Sequence, residues 1–186
     1  MFGTALKCLQ DFVLDNYGKE KWNQVLDQAG LSTNKMYHSI RFYPDAEFEQ
    51  LIDVCAKDLR INKNTLLRDF GKIFGEHLIS MYGGMFLKDW KSLDIIEKVA
   101  PKVFITIQFV DPYTPKSKVK CERVSPDEVV IHYQSPRKMC IYLFGIIDAV
   151  AEHFQEKLEI TETGCMHQGD PECVIHVKRK AILWSS

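Results

Sequence analysis

The sequence has no long hydrophobic run, no excess of either charge and no leader-like start. None of its apolar stretches reaches the roughly 18 residues that identify a membrane-spanning helix. Its 24 basic and 25 acidic residues give a formal net charge of −1, which argues against nucleic acid or an anionic membrane as a partner. The opening, MFGTALKCLQDF, lacks a basic segment followed by an apolar core, so we expect a cytoplasmic protein.

The motifs of common enzyme classes are also missing. The chain shows no Gly-rich phosphate loop, no paired-carboxylate site and no nucleophile beside a base, so we expect a binding protein and not an enzyme. Neither repeats nor a linker divides the 186 residues, which suit a single domain spanning 1–186. Six cysteines are present, and in a reducing compartment clustered cysteines indicate metal or redox chemistry more often than disulfides.

The hydrophobic pattern changes its period halfway along the chain. In the first half, apolar residues recur every three or four positions and predict helices over 2–16, 20–29, 44–59 and 62–81. In the second half the pattern predicts strands over 118–124, 128–133, 156–163 and 172–178, and a helix over 137–154 capped by Ser135. The order predicts an α+β fold, with a helical N-terminal half packed on a C-terminal antiparallel sheet that carries one long helix.

Residues 92–110 give two conflicting signals. The segment SLDIIEKVA is typical of a helix, which Pro101 then interrupts. The segment VFITIQFV that follows is rich enough in β-branched and aromatic residues to be a strand.

Cysteine and histidine residues cluster near the C-terminus. The segment CMHQGDPEC places Cys165, His167 and Cys173 within nine residues, and Cys140 would come from the nearby helix. Three thiolates and an imidazole suit tetrahedral Zn²⁺, and a closed four-ligand site favours a structural role. The alternative is three reduced, buried cysteines and a surface histidine, but such dense clusters are uncommon by chance.

The segment YQSPR carries three polar groups on alternate residues. Tyr133, Ser135 and Arg137 would point to one side of an extended strand. A phenol, a hydroxyl and a guanidinium together can clamp a carboxylate or a phosphate. From the pattern alone, a strand end followed by a helix cap and a surface arginine is the better explanation, since any strand shows such alternation somewhere.

A family resemblance favours the first interpretation, in which Tyr133, Ser135 and Arg137 form a carboxylate clamp. The segments MFGTALKCLQDFVLDNYGKEKW and LLRDFGKIFGEHL resemble helices of the H-NOX (haem nitric oxide/oxygen-binding) sensor domains, and YQSPR matches their Tyr-x-Ser-x-Arg motif. The resemblance runs nearly end to end. It implies that Tyr133, Ser135 and Arg137 hold the propionates of a haem. It also implies that Thr114 and Pro115 press on the haem, and that Tyr142 hydrogen-bonds bound O₂.

The same resemblance implies a metal site. It also shows one position at which this sequence differs from the family pattern. Some proteobacterial members carry zinc, and Cys140, Cys165, His167 and Cys173 resemble that site. The family's iron ligand is a histidine before the Thr-Pro segment, and an ungapped count back from Pro115 reaches Lys102. Either haem binds through an unusual ligand such as His77 or Lys102, or the pocket takes another tetrapyrrole or an apolar carboxylate.

The implied role is nitric oxide sensing and signal transduction through a separate protein. In the family that partner is commonly a histidine kinase or a cyclic-nucleotide enzyme. Two other interpretations remain. One is a haem-free sensor in which oxidation of zinc-bound Cys140, Cys165 and Cys173 is the signal. The other is a small-molecule-binding module of the 4-vinyl-reductase type, which has a similar Cys-x7-Cys ending.

Overall fold

The computed structural model of the protein describes residues 3–110 and 117–180. Six α-helices and four strands occur in these ranges. The helices are α1 (Gly3–Gln28), α2 (Asp45–Asp58), α3 (Lys63–Tyr82), α4 (Ser92–Lys98), α5 (Ala100–Val110) and α6 (Cys140–His153). The strands are β1 (Lys118–Ser125), β2 (Glu128–Gln134), β3 (Leu158–Gly164) and β4 (Cys173–Arg179). Thr114 and Pro115 lie outside the described residues.

The predicted α+β architecture is confirmed. The four strands form one antiparallel sheet in the order β1-β2-β4-β3. A break at Gly18 was expected between the first two helices, and Gly18 has a φ of 82° where α1 kinks. No helix within the described ranges combines the length and the apolar character needed to cross a membrane.

Two predictions about local structure were wrong. The segment VFITIQFV is part of helix α5 and not a strand, because its packing outweighs the strand preference of its β-branched residues. Pro101 is the second residue of α5, in the first turn, where its missing N–H is tolerated. Ser135 does not cap α6, which begins at Cys140 with Met139 as its N-cap.

The interior consists of two apolar clusters. One lies among α1, α2 and α3, and the other lies between the sheet, α4 and α6. Helices α3 and α6 contribute to both clusters and pack closely together. A Cβ on Gly145 would lie 1.9 Å from the Arg68 carbonyl oxygen, and one on Gly71 would lie 2.1 Å from that of Tyr142. Glycine is therefore required where these helices meet.

Ion pairs fix the edges of this packing. Arg68 on α3 binds Asp148 on α6 through hydrogen bonds of 2.6 and 3.0 Å. At the edge of the sheet, Arg123 of β1 contacts Asp94 and Glu97 of α4 at 3.2 and 3.0 Å. These contacts hold α6 against α3 and α4 against the sheet, and a cavity remains between them.

Candidate functional site

An apolar cavity of about 70 Å³ lies where α3, α6, the α4–α5 segment and strands β1 and β2 meet. Leu78 of α3, Leu143 of α6 and Ile131 of β2 are representative of its walls. Among the described residues that line it, only Tyr82 and Cys121 carry a side-chain heteroatom. Burial, followed by the nearby charge of Glu97, raises the pKa of the Cys121 thiol to about 12. The walls are therefore uncharged.

The structure does not bring Lys102 or His77 to this cavity. Both side chains are exposed, on α5 and α3 respectively, and neither lines it. The face of α5 that lines it carries Val99, which directly precedes the helix, together with Ala100, Val103 and Phe104. Successive helical residues turn by about 100°, so Lys102 projects away from that face. A charged lysine gains hydration by facing outward.

The three clamp residues lie in the last part of β2 and the loop that follows it. Tyr133 and Ser135 are 4% and 3% exposed. The Tyr133 ring packs edge-on to Phe104, with centroids 6.3 Å apart, so the clamp adjoins one wall of the cavity. Burial raises the pKa of Tyr133, although the hydrogen bonds from Ser135 and from the Met139 N–H oppose the rise.

Each hydrogen-bonding group of the clamp has a partner within the chain. The Arg137 guanidinium donates two hydrogen bonds of 2.7 Å to the Asp45 carboxylate at the start of α2. The Ser117 hydroxyl donates to that of Ser135 at 2.8 Å. Burial raises the pKa of Asp45, but hydrogen bonds and nearby positive charge, those of Arg137 first, outweigh it and hold the pKa below its usual value. A ligand carboxylate must therefore share or displace Asp45 to reach Arg137.

Sequence reasoning missed Asp45, because it lies 92 positions away from Arg137. An aspartate after a proline indicates only a helix start. The local sequence carries no signal that this carboxylate would meet the clamp.

The Tyr142 hydroxyl is fully buried and has no hydrogen-bond partner among the described residues. Its ring packs against Phe70 and Phe74 of α3, with centroid distances of 5.4 and 5.6 Å. Burial, above all, raises its pKa well beyond the ordinary value. An unpartnered buried hydroxyl costs about 1–3 kcal/mol, so a ligand atom that reached it would be bound favourably.

Three of the predicted metal ligands converge. Cys140 at the start of α6, Cys165 after β3 and Cys173 on β4 lie together with Glu162, and their potential ligand atoms are all within 4.8 Å of one another. The sulfur atoms of Cys140 and Cys165 are 4.0 Å apart. Burial raises the pKa of Cys140 and, to about 11, that of Cys173, so their thiolates need a nearby cation.

The fourth member of this cluster is Glu162 and not His167. The exposed His167 instead forms a hydrogen bond of 2.7 Å between its Nε2 and the Lys138 carbonyl oxygen, which keeps the imidazole outside the cluster. The Oε1 of Glu162 is buried and lacks a hydrogen-bond partner within the described residues. An orphaned carboxylate oxygen beside three thiols fits a divalent metal such as Zn²⁺.

The sequence does carry a signal for Glu162. Along β3 the inward positions are Leu158, Ile160, Glu162 and Gly164. A carboxylate that continues an apolar alternation is seldom buried without a partner. Its inward position therefore points to a ligand role that the Cys-His spacing alone does not reveal.

Comparison with known proteins identifies the chain's relatives. The profile of the haem-NO-binding family matches residues 2–162. Soluble guanylate cyclases gcy-32 and gcy-34 of Caenorhabditis elegans are each 20% identical, over 95% and 82% of this chain. The chain spans only about a quarter of the length of these relatives, 26% and 23%.

Solved structures show the same fold. An H-NOX protein from S. oneidensis in its Fe(II)NO state aligns with a TM-score of 0.85 at 20% identity, over 97% of this chain and 100% of that one. An oxygen-binding H-NOX domain related to soluble guanylate cyclases gives 0.81 at 17% identity, over 100% and 98%. The profile match covers most of the sequence, and the chain therefore belongs to the haem-NO-binding family of H-NOX sensor domains.

Proposed function

We propose that this chain is a signalling sensor that takes a ligand into the cavity between α3, α5, α6 and the sheet. Binding there changes the activity of a separate cytoplasmic signalling protein, either a histidine kinase or a cyclic-nucleotide enzyme. The observation that carries the proposal is an apolar cavity in a chain of the haem-NO-binding family. The matched guanylate cyclases support a cyclic-nucleotide enzyme as one class of partner.

The residues described here do not fit an ordinary histidine-bound haem. No imidazole lines the cavity within the described ranges, and the Arg137 fork already binds Asp45. A proximal histidine holds the haem iron in globins and peroxidases, and its absence removes the main link between haem and protein. We therefore assign no step of the signal to iron.

The cysteine cluster does fit zinc. Cys140, Glu162, Cys165 and Cys173 would supply three thiolates and one carboxylate, a set that Zn²⁺ accepts. These residues come from α6, β3, the turn after it and β4, so a metal would fasten the start of α6 to one end of the sheet. Its role here is structural, since four protein ligands leave no open position.

Two measurements test the sensor proposal. Autophosphorylation of a histidine kinase, or nucleotide synthesis by a cyclase, from the same organism is followed with and without the purified chain. We expect at least a twofold change for one of them, and no change with either class of partner would contradict the proposal. An absorption spectrum of protein expressed with haem supply, before and after nitric oxide under reducing conditions, shows whether haem is the ligand.

One distance favours a second candidate function, that of a thiol redox sensor. The Cys140 and Cys165 sulfurs are 4.0 Å apart, which a small shift could bring to bonding distance. Hydrogen peroxide would oxidise the two thiols to a disulfide and be reduced to two water molecules, releasing bound metal. Titration of thiols and zinc after peroxide treatment tests this, and retention of both would exclude it.

A further inference from the structure

We propose that the cavity binds a small, uncharged, apolar molecule directly, without haem and without a carboxylate. The inference rests on the proposed sensor function, because it assumes that the cavity is the ligand site. It goes further by naming the class of ligand. Three observations carry it: the chemistry of the walls, the partners of the clamp and the size of the cavity.

Almost all of the described side-chain atoms that line the cavity are hydrocarbon. The only heteroatoms on the described lining side chains are the Cys121 sulfur and the Tyr82 hydroxyl. A charged or strongly polar ligand would leave water without finding a partner, which costs several kcal/mol. An apolar ligand loses nothing on entry and gains contact with a surface that water solvates poorly.

The clamp does not call for a ligand carboxylate. Asp45 already accepts two hydrogen bonds from the Arg137 guanidinium, and it is part of the same chain. A ligand carboxylate would compete with a group present at very high effective concentration. The carboxylate that complements Arg137 therefore belongs to the protein itself.

The size of the cavity narrows the class of ligand further. A cavity of about 70 Å³ is well below the roughly 300–1,000 Å³ of pockets that hold drug-sized ligands. An engineered apolar cavity of about 150 Å³ binds benzene or xenon and stays dry. We therefore place the ligand between xenon and benzene in size.

Xenon is the probe for the test, because it is apolar, uncharged and small. The ¹²⁹Xe NMR signal is recorded with the wild-type chain, with Ala100→Leu and with Lys102→Leu. Leucine at position 100 would fill the cavity from α5, whereas the same residue at position 102 faces solvent. We expect a concentration-dependent xenon shift for wild type and Lys102→Leu, reduced at least fivefold for Ala100→Leu. Thermal melts confirm that both variants fold.

A second experiment with the wild-type chain tests the charge and the size of the ligand. Benzene near saturation should raise Tm by about 2–5 °C, and benzoate at the same concentration should leave it unchanged. Equal responses to the two, or xenon shifts that Ala100→Leu does not alter, would overturn the inference. Stoichiometric uptake of hemin by the wild type, giving a Soret band, would overturn it as well.

The failure of this inference and that of the proposed function can be told apart. Xenon binding without any effect on a partner enzyme would support the ligand assignment and refute the sensor role. Hemin uptake accompanied by partner regulation would refute the ligand assignment and leave the sensor role intact.

Discussion

Arg137 and Asp45 face each other through two parallel hydrogen bonds of 2.7 Å, although they stand 92 positions apart in the chain. The pair joins the loop after β2 to the first turn of α2, and its side chains are 15% and 27% exposed. Bidentate pairing of this kind is among the stronger polar contacts in proteins. It links the helical N-terminal half to the sheet at the clamp.

Asp45→Asn should reduce the free energy of unfolding by about 1–3 kcal/mol at neutral pH. Because the folded-state pKa of Asp45 is lowered, its contribution is present above the unfolded pKa and is lost as the pH falls through the folded pKa. Urea unfolding from pH 7 to pH 3 should therefore show a shallower acid dependence in the variant. Asp53→Asn on the same helix is the control, since the Asp53–Lys63 pair is largely exposed and should contribute under about 1 kcal/mol. Identical acid profiles for Asp45→Asn and wild type would contradict the argument.

Cys165→Ala and Cys173→Ala should each lose zinc and stability, because each removes a sulfur from the four-residue cluster. Elemental analysis of the purified variants gives the metal content, and thermal melts give the stability. His167→Ala is the matched control, since this imidazole binds the Lys138 carbonyl oxygen instead. Glu162→Gln should weaken zinc binding without abolishing it. Zinc loss in His167→Ala together with retention in Glu162→Gln would restore His167 as the fourth ligand.

Lys102→His should not create haem binding, although an ungapped count places the family's iron ligand at this position. The side chain at position 102 is exposed on α5 and does not line the cavity, so an imidazole there would face solvent. The wild-type chain is the control. After reconstitution with hemin and reduction, no Soret band is expected for either protein. A band in Lys102→His alone would mean that position 102 reaches bound iron.

Gly145→Ala should destabilise the fold by about 1–3 kcal/mol, through overpacking between α3 and α6. The added Cβ would lie 1.9 Å from the Arg68 carbonyl oxygen and 2.6 Å from the Lys72 nitrogen, both backbone atoms of α3. Gly84→Ala provides the comparison, because its Cβ would meet no atom within 4 Å. Chemical denaturation should show a change of under about 0.5 kcal/mol for Gly84→Ala. A comparable loss in both would contradict the view that contact between the two helices requires glycine at position 145.

Local pattern was enough to predict most of the elements. The amphipathic stripe of α3 and the alternation of β2 repeat over several turns or residues, so neighbouring positions reinforce one another. The segment that forms α5 is different. Its composition favours a strand, yet it is a helix that packs beside β1 in the wall of the cavity. Propensity is a weak guide when tertiary packing opposes it.

Apart from Cys140, the candidate-site residues that were predicted to lie together are close in sequence. Tyr133, Ser135 and Arg137 follow one another, so their proximity needs no fold. Asp45 and Glu162 reach the clamp and the thiols through the packing of distant elements, which single-sequence patterns do not specify. The spacing of the segment suggested His167 as the fourth metal ligand. Its imidazole binds the 136–140 segment instead, and the chain turns nearby at Gly169, where φ is 100°.

The strand order β1-β2-β4-β3 has a consequence for how the chain folds. Strands β1 and β2 form one hairpin and β3 and β4 another, and each can close over a short stretch of chain. The seam between β2 and β4 joins residues on either side of the whole of α6. Long-range pairings of this kind close late and slowly, because chain entropy is lost before the contacts form. We expect this central seam to limit the folding rate, with both hairpins and α6 forming ahead of it.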